Sequence, residues 1–471
     1  MPVEAVEKAV VDAVAEGFPA AVAALGRLVR IPSIAFPGFP AEPMAESAEA
    51  VAALFRDTGL FDEVGVHRAA YDEAGEQRLG SPAVLARRPA APGRPTVLLY
   101  AHHDVQPAGP DEAWTDPPFQ PTLRGERLYG RGASDDKAGV VTHLAAITAA
   151  AAALGDRLEV GVALFVEGEE EAGSRSFAAF LAEHREVLAA DVIVVADSDN
   201  VDAGTPALTS SLRGNVTFAV TVATLEHASH SGMYGGAVPD AMLATIRLLA
   251  TLWDDEGAVA VAGLAAAPDP SAPGGPSEQQ LAADAGLLPG VRLIGSGSVA
   301  DRLWRGPAVT VTGIDAPDVK NASNTLQPQV RVRISARVAP GQRAEDAFAA
   351  VRAHLENHAP HGARLSFSDV DLGEPFLVDQ DGWAAEEMRS ALADGWGTPA
   401  VPTGIGGSIP FVSTLAAEFP AAQILLTGVE DPGTRAHSPN ESQHLGVLRR
   451  AITAEALLLT RLSRRNAGYE R

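Results

Sequence analysis

Cysteine is absent from this sequence and positive charge is scarce. With no cysteine among 471 residues, disulfides, cysteine nucleophiles and thiolate metal ligands are all excluded. Any metal ion bound by this chain must therefore be held by His, Asp and Glu. The 36 Lys and Arg stand against 60 Asp and Glu, which makes the formal net charge −24 at pH 7. Nucleic acids attract proteins of the opposite sign, so we expect no nucleic-acid partner.

Several common motifs are also missing. The chain has no Gly-Lys-Ser/Thr phosphate loop, no Gly-x-Gly-x-x-Gly after a strand and no His-Glu-x-x-His. Ser134 and Ser174 lack the Gly-x-Ser-x-Gly context of a serine nucleophile. No apolar run approaches the roughly 18 residues that span a membrane, and the acidic N-terminal stretch is unlike a signal peptide. These absences predict a soluble, cytoplasmic protein with no membrane partner.

The pattern of apolar residues predicts an α/β fold. Hydrophobic residues make up 46% of the chain, a composition typical of globular proteins. The length of 471 residues is enough for two or three domains. Apolar residues at helical spacing predict helices at residues 3–15, 20–29 and 45–58. Short continuous apolar runs between helices predict buried strands. These runs are residues 96–100, 158–166, 191–196 and 423–427.

The middle of the chain has a different pattern. Residues 215–222 and 329–338 alternate apolar and polar side chains, which predicts strands with one covered and one exposed face. We therefore expect an α+β domain at residues 211–376. It is inserted into an α/β domain formed by residues 1–210 and 377–471.

Residues of the metal-ligand types follow the predicted buried strands. Because ligands of open α/β sheets bind beyond the carboxyl ends of the strands, such residues are well placed for one shared site. Two further segments, one opening a predicted helix and one following the last strand, have the same composition. The candidates are His102, His103, Asp104, Asp135, Asp136, Glu169, Glu170, Glu171, Asp197 and His437.

Each candidate has an ordinary structural alternative. Asp135 or Asp136 can cap a helix, the three consecutive Glu can form a solvated turn, and His437 can be a surface or core histidine. Their joint occurrence in the loops of one sheet favours a shared site. Two His with three or four carboxylates suit zinc, manganese or cobalt.

The motifs together resemble those of the dinuclear zinc exopeptidases, the family of aminoacylase, carboxypeptidase G, succinyl-diaminopimelate desuccinylase, acetylornithine deacetylase and the carnosinases. The resemblance covers residues from about 95 to 440. It rests on the segments 102–107 (HHDVQP), 130–137 (GRGASDDK), 170–174 (EEAGS) and 436–439 (AHSP). The Gln-Pro after Asp104 and the segments 229–236 and 407–410 are most similar to the carnosinase and cytosolic nonspecific dipeptidase branch.

The resemblance implies a catalytic domain with a mixed sheet flanked by helices, and two divalent metal ions per subunit. Zn²⁺ is the first expectation, with Mn²⁺ or Co²⁺ as alternatives. Asp135 would bridge the ions. His102 and Asp197 would complete the ligands of one ion, and Glu171 and His437 those of the other.

Other roles also follow from the resemblance. Glu170 matches the general base, and Asp104 matches a carboxylate that orients His102. The family often has a cis peptide after the bridging Asp, here between Asp135 and Asp136.

The inserted domain would act as a lid and dimerisation domain. His230 resembles a histidine that reaches the substrate carbonyl from the partner subunit of a homodimer. Arg337 resembles the arginine that binds the C-terminal carboxylate of the substrate. Ser408, Gly407 and Asn324 would assist it.

The residues alone leave two assignments open. His103 is an alternative to His102 as the metal ligand, and the three consecutive Glu allow the base and the ligand to be shifted by one position. The spacing His-x-Asp in the family selects His102. The family pattern Glu-Glu-x-Gly-Ser selects Glu170 and Glu171.

We therefore predict a homodimeric dinuclear metallopeptidase that hydrolyses dipeptides or short peptides with a free C-terminal carboxylate. An N-acyl-amino-acid deacylase or desuccinylase is the alternative, because its metal chemistry is the same. A non-catalytic binding protein on this fold would lack the base or a ligand. Glu170 and all five ligand positions are present.

Overall fold

The computed structural model describes residues 3–73, 75–266, 275–378, 380–406 and 410–466. Eleven α-helices lie in this part of the chain. They are α1 (Val3–Val29), α2 (Glu42–Arg56), α3 (Lys137–Leu154), α4 (Phe177–Leu188), α5 (Ser231–Tyr234), α6 (Ala241–Leu249), α7 (Glu278–Asp284), α8 (Ala344–Asn357), α9 (Trp383–Trp396), α10 (Pro410–Glu418) and α11 (Leu445–Leu462).

Twenty β-strands lie in the same described ranges. They are β1 (Glu63–His67), β2 (Ala70–Glu73), β3 (Glu76–Leu79), β4 (Ala83–Arg88), β5 (Thr96–His102), β6 (Thr122–Arg124), β7 (Arg127–Tyr129), β8 (Gly161–Glu167), β9 (Val192–Asp199), β10 (Ala207–Leu212), β11 (Gly214–Ala223), β12 (Ser229–His230), β13 (Ala308–Asp315), β14 (Thr325–Leu326), β15 (Gln329–Val338), β16 (Arg364–Gly373), β17 (Phe376–Leu377), β18 (Val401–Ile405), β19 (Gln423–Glu430) and β20 (Ser442–His444).

The chain forms two compact units. The first contains residues 1–210, 378–403 and 414–471, and the second contains residues 211–377 and 404–413. Residues 404–413 thus belong to the second unit, whereas the sequence analysis assigned all of 377–471 to the catalytic domain. The main-chain N–H of Arg213 donates to the carbonyl of Ile405 at 3.3 Å, a contact between distant segments that no local pattern announces. The lid role of the second unit stays a prediction.

A mixed sheet forms the centre of the first unit. Its strands run in the order β1-β4-β8-β5-β9-β19-β10. β8, β5, β9 and β19 are parallel, whereas β1, β4 and β10 pair antiparallel with their neighbours. β5 and β8 are buried along their whole length, as expected of continuous apolar strands under helices. The predicted α/β class is confirmed.

Helix α1 is continuous, although the sequence predicted two separate helices. Pro19 lies inside it, and an internal proline costs about 3 kcal/mol. An apolar stripe that includes Val6, Val10, Leu25 and Leu28 is buried, and α1 packs against α3 and α11. Full burial of one such side chain is worth about 1.5–3 kcal/mol. The stripe as a whole therefore outweighs the proline.

Helices α1 and α3 are long and apolar enough to cross a membrane, by length and composition only. The sequence analysis did not expect such segments. In the structure both helices pack against α11, and 61% of the apolar window of α3 is buried inside the protein. Core helices of globular domains have the same composition.

The parallel strands bring their carboxyl ends to one edge of the sheet. β5 ends at His102, next to Glu167 at the end of β8. β9 ends at Asp199, next to Glu430 at the end of β19. The loops that follow β5, β8 and β19, together with Asp197 on β9, carry most of the predicted site residues. The edge is the place where α/β sheets bind ligands.

An antiparallel sheet forms the second unit, with strand order β13-β15-β11-β16. Buried side chains of β11 and β15 pack on α6 and α8 in one apolar core. Along β15 every second residue is buried, which confirms the predicted alternation. Arg331, Arg333 and Arg337 lie on the opposite, more exposed face.

Candidate metal centre

Asp135 lies between two histidines of the first unit. Its Oδ1 is 3.2 Å from Nε2 of His102, and its Oδ2 is 3.0 Å from Nε2 of His437. Each carboxylate oxygen therefore faces a different imidazole. A carboxylate that bridges two metal ions needs this arrangement.

Two more carboxylates complete the cluster. Glu171 Oε2 lies 3.2 Å from His437 Nε2, and Asp197 Oδ2 lies 3.9 Å from His102 Nε2. The structure thus brings all five predicted ligands together. The ligand atoms form two groups, and within each group all of them lie within 4.8 Å of one another. The first group is His102, Asp197 and the additional residue Asp136, and the second is Asp135, Glu171 and His437.

Asp136 has a separate task. Its Oδ1 accepts the main-chain N–H of Gly139 at 3.1 Å, which caps α3. Its Oδ2 accepts the main-chain N–H of His102 at 3.1 Å. Both oxygens are therefore occupied by backbone amides, and the cap that sequence reasoning left open between the two aspartates falls to Asp136. The peptide bond between Asp135 and Asp136 is cis.

The geometry favours His102 over His103. The His103 ring is buried, with Nε2 2.8 Å from the carbonyl oxygen of Pro82. Burial lowers the pKa of His103 to about 4, so the ring is neutral and Nε2 donates its proton to that carbonyl. His102 Nε2 instead faces Asp135 and Asp197.

The run of three glutamates divides in a similar way. Glu169 is buried and its carboxylate accepts the main-chain N–H groups of Ser81 and Ser176. It therefore stabilises the loop after β8. Glu170 and Glu171 are left facing the cluster, as the family pattern implies.

Asp104 joins the His102 loop to the glutamate loop. Its Oδ1 accepts the N–H of Glu170 and its Oδ2 the N–H of Glu171, both at 3.1 Å. The same Oδ1 lies 3.4 Å from His102 Nδ1. Because Asp104 is buried, these contacts fix the imidazole and both glutamates together.

Gln106 binds one of the predicted metal ligands, Glu171, a contact that the sequence analysis missed. Its side-chain amide donates to Glu171 Oε2 at 2.7 Å, which leaves Oε1 of that carboxylate for another partner. The Gln-Pro pair had served only as a signature of the branch.

The residues present fit a pair of divalent ions. His102 Nε2 and Glu171 Oε1 are buried and accept or donate no hydrogen bond within the described ranges, which is costly unless another partner completes them. Burial raises the pKa of Asp197 to about 7 and that of Glu170 well above its usual value. Bound cations would stabilise the charged form of these buried, neighbouring carboxylates. Nitrogen and oxygen donors suit Zn²⁺, Mn²⁺ and Co²⁺.

The remaining predicted residues belong to the second unit. His230 is exposed, and its Nδ1 accepts the N–H of Gly232 at 3.0 Å. In the neutral ring the proton therefore sits on Nε2, which can donate. The carbonyl of Asn324 accepts the N–H of Ser231 at 2.9 Å, so Asn324 lies beside His230. Gly407 and Ser408 lie outside the described residues.

Arg337 has an arginine neighbour that sequence reasoning did not find. It faces Asn215 across the β11–β15 pair, and Arg213 comes directly before β11. Burial and the charge of Arg337 lower the pKa of Arg213 to about 10. Arg213 Nε donates to the carbonyl of Gly406 at 3.0 Å. Two arginine charges of the second unit thus act on each other.

The fold places a cluster of histidines and carboxylates, a donor set that could hold divalent metal ions, at the edge of an α/β sheet. Residues 98–461 match Peptidase family M20/M25/M40, and the chain belongs to that family.

Relatives support the same assignment. The chain is 36% identical over 372 residues to the Cysteinylglycine-S-conjugate dipeptidase of Corynebacterium striatum, with 78% of this chain and 80% of the relative covered. It is 28% identical to the Beta-Ala-His dipeptidase of Rattus norvegicus, over 76% of this chain and 75% of the relative. The di-peptidase Dug1p of Saccharomyces cerevisiae has the same fold, with a TM-score of 0.82 at 20% identity over 98% of this chain and 99% of that one.

These comparisons confirm the suspected family and its carnosinase-like branch. They also confirm that the chain is a peptide-bond hydrolase, and so argue against the non-catalytic alternative. The individual roles of the site residues stay predictions.

Proposed function

We propose that this protein is a metal-dependent dipeptidase that cleaves dipeptides or short peptides with a free C-terminal carboxylate. The position of Asp135 between two imidazoles carries the proposal. The names of the relatives favour dipeptides over acylated amino acids as substrates. The ions would be held by His102, Asp135, Glu171, Asp197 and His437, with Zn²⁺ as the expected metal and Mn²⁺ or Co²⁺ as alternatives.

Glu170 moves the proton in the proposed reaction. A bound pair of divalent ions would supply Lewis acidity, which would lower the pKa of a water molecule and polarise the scissile carbonyl. The Glu170 carboxylate takes the proton of the attacking water and returns it to the leaving amine. Its raised pKa suits a group that must hold a proton between these steps.

The second unit would bind the substrate ends. His230 of the partner subunit in a homodimer would donate from Nε2 to the substrate carbonyl. Arg337 would bind the C-terminal carboxylate, with Ser408, Gly407 and Asn324 assisting. The neighbouring charge of Arg213 supports an anion site there. The cytoplasmic location likewise stays a prediction.

A substrate panel tests the proposal. Chelator-treated enzyme is assayed with unblocked dipeptides and with N-acetyl and N-succinyl amino acids, before and after addition of Zn²⁺ or Mn²⁺. We expect metal-restored cleavage of the free dipeptides alone. Cleavage of only the acylated compounds would instead make the protein a deacylase. Full activity of the chelator-treated enzyme without added metal would contradict the proposed dependence on metal ions.

His230→Ala is expected to stay dimeric and to keep its metal ions while kcat falls by about 10²–10³-fold, the usual effect of losing one oxyanion donor. The matched control is His227→Ala, because His227 is an exposed histidine three residues away. Steady-state kinetics and the mass in solution measure both variants. Equal kinetics for His230→Ala and the wild type would assign the residue a structural role.

A further inference from the structure

Glu441 is a buried carboxylate for which the sequence analysis had no task. It is fully buried. Its Oε1 accepts the main-chain N–H groups of Ser134 and Asp135 at 3.0 and 3.1 Å. Its Oε2 accepts the N–H of Gly132 at 3.0 Å and the Nη1 of Arg131 at 2.6 Å. Three backbone amides that lead to Asp135 thus converge on one side chain.

The same residue belongs to the loop that carries His437, four positions earlier. The carbonyl oxygen of Glu441 accepts the N–H of Gly130 at 3.0 Å, and β20, which starts at the next residue, pairs with β7. Main chain and side chain of Glu441 therefore connect the two loops that hold Asp135 and His437.

The charge of Glu441 is balanced inside the protein. Arg131 is 1% exposed and forms the ion pair with it. Both oxygens of Glu441 are fully used by four donors, so it is not a ligand candidate itself. Its contacts act on the backbone of the ligand Asp135.

We propose that Glu441 is a positioning residue for metal binding, which fixes the backbone of Asp135 so that its two oxygens face His102 and His437. The inference rests on the proposed dinuclear site. Replacement of a residue that orients a metal ligand typically lowers the metal affinity by about 10–100-fold. The substitution Glu441→Gln would put an NH₂ group against one of the converging N–H donors or against Arg131.

Glu441→Gln is therefore expected to weaken Zn²⁺ affinity by about 10–100-fold. Chelator-treated protein is titrated with Zn²⁺ by calorimetry and by competition with a chelating dye. Activity on a dipeptide should return when Zn²⁺ is in excess, with KM close to that of the wild type. Loss that no excess of Zn²⁺ restores would contradict a role in positioning.

Glu455→Gln is the matched control. Glu455 is 2% exposed and accepts the Nδ1 proton of His143 at 2.9 Å, so it is similarly buried but makes no hydrogen bond to either loop within the described residues. We expect it to lower the melting temperature and to leave Zn²⁺ affinity unchanged. Equal losses of affinity in both variants would reduce Glu441 to a general stabilising role and overturn the inference.

Glu441→Asp covers the case in which the glutamine variant does not fold. It keeps the charge for Arg131, but its shorter side chain cannot reach all three amides. We expect weaker Zn²⁺ binding here too, and wild-type affinity would overturn the inference. A wild type that binds no metal would instead refute the proposed function.

Discussion

Glu170→Gln is expected to bind two metal ions per subunit and to lose about 10²–10⁴-fold in kcat, the usual contribution of a general base. The amide keeps the shape of the side chain but cannot accept a proton. Glu170 is not among the five residues expected to hold the ions, and its N–H contact with Asp104 does not involve the side chain. Metal content is measured by mass spectrometry of dialysed protein and kcat with a free dipeptide.

Glu169→Gln provides the comparison. Glu169 lies next to Glu170, but its carboxylate binds the main chain at Ser81 and Ser176. We expect this variant to be less stable, with a much smaller loss in kcat. Near-normal turnover of Glu170→Gln, or a larger loss in Glu169→Gln, would move the base to another position.

The position of the site could be predicted from the sequence because strand polarity determines it. Continuous apolar strands such as β5 and β8 are buried and parallel, so the residues after them must meet at one edge. His102, Glu171 and Asp197 could therefore be grouped without a structure. The resemblance to a family then separated His102 from His103.

The contacts that orient the ligands could not be predicted in the same way. Glu441 binds amides about 300 residues earlier in the chain, and the direction of those amides depends on the conformation of a loop. Residue types alone also leave Asp135 and Asp136 equivalent. They differ only because the Asp136 oxygens bind two backbone N–H groups. Hydrophobic periodicity carries no information about either feature.

The boundary at residue 404 was missed for a related reason. The boundary falls inside β18, where the amino-acid composition does not change, yet residues 404–413 belong to the second unit. The side chain of Arg213, near the start of that unit, donates to the carbonyl of Gly406. A buried arginine bonded to a carbonyl far along the chain leaves no local pattern.

Asp135→Ala is expected to lose both metal ions, because each oxygen of this carboxylate faces a different imidazole. Asp197→Asn gives the graded comparison, since Asp197 Oδ2 lies 3.9 Å from Nε2 of His102 and is expected to complete the ligands of one ion. We expect that variant to lose affinity for one ion and to keep the other. Metal stoichiometry after dialysis at several free Zn²⁺ concentrations separates the two patterns. Retention of two tightly bound ions by Asp135→Ala would show that the imidazoles and the remaining carboxylates suffice. The bridge would then have to be assigned to another side chain of the cluster.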